Sequence, residues 1–303
     1  MKSTLESPAK TYAVRGLAQI ERTAKDSIWD AHWGCAVIAG ALLIAEDLVE
    51  DDAKPVIESL LKSLTASQKS FEAEAGSKRQ YLERNQFAET LLGELAIKAD
   101  DPREIGHAVI YSAYVLKALD YFGIPPWESL LARLTGLVHD INTAGPGWIT
   151  VNGVNEPRVL QEAEMKTTAD YWTLFAGFDR PLPMEVGDMQ LGHLLTHGHA
   201  IHMFQAYAGP GLIAVFDHAY RRRLHGLRLA NGLQRDQTPL PRRIINPRTK
   251  DYWGVVEMLG DMHGHALKYA YSFLALRGGR ISTADLESYG RIVWPAKAVP
   301  ATG

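Results

Sequence analysis

Apolar residues recur at spacings of three and four along most of the chain, and that period commits it to helices. The pattern runs through Ala31–Leu48, Val56–Leu64, Phe87–Ile97, Ala108–Tyr121, Leu130–Val138, Val159–Phe175, Leu191–Ala208, Leu212–Leu229, Tyr252–Leu276 and Leu286–Val293. Turn signals separate many of these stretches: Asp51-Asp52, Gly123-Ile124-Pro125-Pro126, Gly209-Pro210-Gly211 and Gly278-Gly279. Together they predict helical hairpins. The first opens near Asp30-Ala31-His32 and returns through Val56–Leu64. His107 opens the second, His199 belongs to the third, and His265 leads the fourth. Asp101-Pro102 reads as a helix cap followed by a first-turn proline, and Ser282-Thr283-Ala284-Asp285 as another helix start. The expected fold is all-α: antiparallel helical hairpins in a bundle or α/α barrel, as one domain over residues 1–303. Segments 142–155 and 234–250 read as loops, the first with a short β-hairpin around Trp148-Ile149-Thr150-Val151-Asn152-Gly153 as its alternative.

A tripeptide is repeated on this helical background. Gly-His-Ala occurs at Gly106-His107-Ala108, Gly198-His199-Ala200 and Gly264-His265-Ala266, each time followed by an aliphatic residue. Composition alone would give ~0.1 copies, so the recurrence marks a degenerate internal repeat. Gly187-Asp188-Met189 before His193 and Gly260-Asp261-Met262 before His263 extend it. Corresponding helix starts would bring His107, His199 and His265 to one end of the assembly and one pocket.

The residue types suit chemistry. An imidazole titrates near neutral pH and can take and return a proton, and a neighbouring carboxylate fixes its tautomer. Asp188 and Asp261 are the expected orienting acids. A glycine before each histidine permits close backbone approach at a helix start. Lys268, Tyr111, Tyr207 and Tyr269 follow the motifs on the same helices and are the expected substrate contacts. The same arrangement serves metal binding. His193 and His197 are four apart on one helix face, and His263 or another ligand would complete a site. The alternative to both is that these histidines cap and pack in a binding or scaffold protein without catalysis.

Composition narrows the classes. The net charge of -3 argues against nucleic acid as an obligate partner. The run Arg221-Arg222-Arg223 reads as a solvated helix face. Cys35 is the single cysteine, which excludes an internal disulfide and a thiolate-rich metal site. No apolar stretch is long enough to span a bilayer, and Met1-Lys2-Ser3-Thr4 lacks a signal-peptide core, so the expected location is cytoplasmic, without a membrane. No dinucleotide fingerprint, phosphate loop or Gly-x-Ser-x-Gly elbow is present. Glu46, Asp47, Glu50, Asp51 and Asp52 read as a solvated turn. The sequence identifies no cofactor and leaves a metal, a nicotinamide, a homo-oligomer and an accessory subunit open.

Two family resemblances bear on function. Val138-His139-Asp140-Ile141, with His107 upstream, resembles the metal-dependent HD superfamily. That resemblance implies a divalent metal on His107, His139, Asp140 and either Asp217 or Asp261, although Asn142-Thr143 departs from the usual Gly-Lys. Separately, His107 through Gly123, ending in Leu119-Asp120-Tyr121-Phe122-Gly123, is similar to the questin oxidase-like family. So are His199-Ala200-Ile201-His202 with Gln205-Ala206-Tyr207-Ala208, and His265-Ala266-Leu267-Lys268-Tyr269. This second resemblance implies a helical enzyme of natural-product metabolism, linked to oxidative ring cleavage of polyketide-type aromatics. The expected function is therefore a small-molecule enzyme with a His-lined pocket and His/Asp acid–base chemistry. A metal-dependent hydrolase or oxygenase is its alternative.

Overall fold

The computed structural model describes residues 7–23, 29–66, 79–99, 106–143, 170–178, 189–232, 244–258 and 263–293, and among them it contains twelve helices and no strand. In chain order they are α1 (Pro8–Glu21), α2 (Trp29–Ala45), α3 (Lys54–Ala66), α4 (Arg84–Ile97), α5 (His107–Tyr121), α6 (Glu128–Thr143), α7 (Tyr171–Ala176), α8 (Met189–Phe204), α9 (Pro210–Gly232), α10 (Lys250–Glu257), α11 (His263–Arg277) and α12 (Thr283–Val293). The predicted all-α fold is what the chain adopts. No helix among the described residues is long and apolar enough to cross a membrane.

Four helices carry apolar or small residues on every side, as an interior helix must. In α2 residues 31–43 are buried except Trp33; in α5, α8 and α11 the runs 109–116, 191–201 and 264–274 are buried throughout. Adjacent pairs pack together, α2 on α5, α5 on α8, α8 on α11 and α11 on α2, closing a ring of four. Their first turns meet through His32, His107, His193 and His265. At the other end Glu46, just past α2, binds Lys117 of α5 at 2.8 Å and accepts the Tyr271 hydroxyl of α11 at 3.2 Å. N-terminal turns thus meet N-terminal turns and C-terminal turns meet C-terminal turns, so the four inner helices run parallel.

Parallel neighbours need return segments, and the outer helices supply them. α3, α6 and α9 pack back on α2, α5 and α8. α12 returns beside α11, with Tyr289 stacked on Phe273 at a ring separation of 4.6 Å. Its start is a capping box: the Ser282 hydroxyl accepts the Asp285 N–H at 3.2 Å while the Asp285 carboxylate accepts the Ser282 N–H at 2.9 Å.

The structure changes some expectations. The predicted helix Tyr252–Leu276 is two helices, α10 ending at Glu257 and α11 starting at His263, with residues 259–262 outside the described ones. Helix α1 was outside the predicted set. Its signal is Ser7-Pro8: the Ser7 hydroxyl accepts the Lys10 N–H at 3.3 Å, and the proline fills the first turn. α1 lies very close to α2, since a Cβ on Gly16 would meet the Gly34 carbonyl oxygen at 2.6 Å and one on Gly34 the Gly16 oxygen at 2.7 Å. The Asp101-Pro102 cap, residues 144–155 and 234–243 of the expected loops, and 159–169 of an expected helix lie outside the described residues.

Candidate functional site

One histidine from each inner helix reaches the middle of the ring. His32, His107, His193 and His265 occupy the fourth, first, fifth and third positions of α2, α5, α8 and α11. All four are buried. The Nε2 atoms of His32 and His265 are 3.0 Å apart, as are those of His107 and His193. Cross contacts join the pairs, with ring centroids 5.6 Å apart for His32 and His107 and 5.1 Å for His193 and His265. Ring nitrogens of His32, His107 and His193 all lie within 4.8 Å of one another, the spacing of a common metal ligand set.

The backbone explains how four rings fit. Gly106 caps α5 in the left-handed region, with φ 79°, which glycine adopts at little cost. A Cβ there would also meet His197 Nδ1 at 2.8 Å. A Cβ on Gly192 would meet the Tyr269 ring at 2.2 Å, and one on Gly264 the Trp33 ring at 2.7 Å. Each glycine lets a neighbouring side chain close on the backbone beside a central histidine.

Surrounding groups tune the imidazoles. The Tyr269 hydroxyl lies 3.1 Å from His193 Nδ1, and Tyr111 stacks on His107 at 5.2 Å. Burial, followed by the charge of Lys268, pulls His265 down to about 3 and holds His32 well below its ordinary value. Both rings are therefore neutral at pH 7. Lys268 is itself fully buried, and burial brings it down to about 7.

The predicted site residues fall into separate groups. His107 and His265 meet in the ring, as expected, together with Tyr111, Tyr269 and Lys268 around it. His199 does not join them. It lies six residues beyond His193, about 9 Å along the helix axis, where its Nδ1 faces the Ser272 hydroxyl at 3.0 Å. Tyr207 donates to the Leu116 carbonyl at 3.2 Å, a packing role at the same far end. Asp188 and Asp261 lie outside the described residues.

Neither expected metal set assembles. His197 turns to Arg223 at 3.4 Å, and His263 meets the Glu257 carbonyl at 3.1 Å, so neither joins His193. His139 is exposed beside Glu94, Asp140 takes the Arg133 guanidinium at 3.3 Å, and Asp217 takes Arg221 at 2.6 Å. The HD-type set is thus divided, with His107 in the inner ring and His139, Asp140 and Asp217 on outer helices. Arg223 also departs from its expected solvated face: it is buried and donates to the Gln190 side chain at 2.9 Å. Glu46 leaves the solvated acidic turn for Lys117 and Tyr271, while Asp47 and Asp51 hold Lys54 as surface partners.

Two central residues were missed, His32 and the assignment of His193 to this group. His193 carries a legible signal, a glycine before it and Gly187-Asp188-Met189 ahead of that, parallel to Gly260-Asp261-Met262 ahead of His265. His32 has alanine before it and no repeat signature beyond opening a hairpin.

No protein-family model, no curated protein and no solved structure matches this chain.

Proposed function

We propose that the chain is an enzyme acting on a small molecule, and that its centre is the buried histidine cluster, in which His32, His107 and His193 would hold one first-row transition metal. The observation that carries this reading is that ring nitrogens of His32, His107 and His193, from three separate helices, lie buried within 4.8 Å of one another, with His265 3.0 Å from His32 beside them. Neutral imidazoles are the form a metal needs. A histidine brought to about 3 is a poor proton shuttle at neutral pH, which favours the metal reading over pure acid–base work.

The donor set is nitrogen, suited to zinc, copper, iron or nickel rather than to magnesium or calcium. With bonds of about 2.1 Å, two nitrogens 3.0 Å apart, as in His107 and His193, would subtend roughly 90° at a metal, and a small opening would give the tetrahedral angle. Tyr269 orients His193 through Nδ1, leaving Nε2 for the metal. With three protein ligands a fourth position would stay open, where such a metal would activate water or dioxygen. Oxidation of an aromatic natural product, the chemistry implied by the questin oxidase-like resemblance, falls within that range.

A second reading has support from the same distances. A separation of 3.0 Å also fits an N–H of one imidazole donating to the bare nitrogen of the other, which makes the cluster a polar core without metal. Elemental analysis of protein purified without chelators separates the two. The metal reading expects about one metal per chain, and an active protein without metal would sink it.

A further inference from the structure

Lys268 lies one turn beyond His265, on the face of α11 that also carries Tyr269 and Ser272. Its side chain is 0 % exposed, and its Nζ has no hydrogen-bond partner among the described residues. Among the described residues no carboxylate stands against it: after burial, the one further influence on its ammonium is the Cys35 thiol. Cys35 is itself fully buried, which pushes that thiol well up and keeps it neutral. Lys268 sits one helical turn from His265, and after burial its charge is the foremost influence on both His32 and His265, so the amine lies close to that pair. Four parallel helix N-termini and the buried Arg223 add positive potential at this end of the ring.

We propose that Lys268 binds an anionic oxygen of the substrate (a carboxylate, enolate or phenolate) and seats it beside the four-histidine centre. The proposal rests on that centre being the reaction site. A buried ammonium with no counter-ion is strongly unfavourable, and an incoming oxyanion removes that cost while satisfying up to three N–H donors. A ligand without such an oxygen leaves the amine unsatisfied, which gives the site its selectivity.

Azide serves as the probe, titrated calorimetrically into the full chain as purified and after metal removal. Wild type, Lys268→Met and Lys268→Gln are compared, with metal content and helical circular dichroism recorded for each. Wild type is expected to bind azide in both forms, and each folded variant to bind it at least about tenfold more weakly with metal content unchanged. Undiminished azide affinity in a folded variant overturns the proposal, as does a wild type that binds no azide in either form. A wild type that holds no metal as purified and still binds azide through Lys268 retires the metal reading and leaves this one standing. If both variants fail to fold, the Nζ resonance of Lys268 in wild type labelled with 15N-lysine decides: a shift on adding azide supports the proposal, and an unmoved signal overturns it.

Discussion

His32 and His265 are separated by 233 positions in sequence, yet their Nε2 atoms are 3.0 Å apart in the middle of the inner ring. The contact joins the first inner helix to the last and supplies half of the histidine centre. Replacing His32 by Ala should lower metal affinity by at least about a hundredfold, since even groups that merely orient a ligand carry 10–100-fold. Elemental analysis after dialysis reads the loss, and helical circular dichroism should stay unchanged. Full metal content in His32→Ala would remove this residue from the ligand set.

Tyr269 tests the orienting layer alone. On the proposed reading, a metal on Nε2 of His193 would leave the proton on Nδ1, which would donate to the Tyr269 hydroxyl 3.1 Å away. Tyr269→Phe should weaken the metal by about 10–100-fold and leave the fold intact. Competition with a chromophoric chelator measures this. An unchanged affinity would reduce Tyr269 to a packing residue.

Gly192 connects packing to the centre. A side chain there has no room, because its Cβ would fall 2.2 Å from the Tyr269 ring. Gly192→Ala should push α8 and α11 apart, destabilise the protein by about 1–3 kcal/mol and reduce metal binding. Urea unfolding gives the first quantity. A variant as stable as wild type would show that the two helices can shift without cost.

Acid should unfold the protein partly through His199, which plays no part in the ring. Burial first, then His202 and Lys117, brings it to about 3. Between about 6.5 and 3 the unfolded chain takes up a proton that the folded chain refuses, so stability falls as pH falls through that window. The slope is about 1.4 kcal/mol per pH unit for one such group. His199→Gln should give a shallower stability curve by about that slope below pH 6, while binding metal as wild type does. Equal slopes, or lost metal, would contradict this assignment.

The inner helices could be read from the sequence because their signals are local. Runs such as Ala113-Tyr114-Val115-Leu116 and Leu194-Leu195 mark buried helices, and Gly123 and Gly278, both at positive φ, mark turns. The recurring Gly-His-Ala located two of the four central histidines. It misdirected the third because its glycine serves a packing purpose that is not confined to the centre. Gly198 makes room for Tyr171, whose Cβ would lie 2.9 Å from an added Cβ, one and a half turns away from the ring. His32 was illegible for a different reason. Its place depends on α2 lying between α5 and α11, a long-range arrangement with no local trace.

The ring also sets an order of events. Its histidines come from four hairpins in succession, and His265 is on the last inner helix to be made. During synthesis, the first three histidines emerge with one wall of their enclosure missing, and α11 closes it by docking against α2 and α8 together. An ion captured at that moment would act as a clasp between the earliest and latest parts of the chain, so that loading and completion of the fold become a single step.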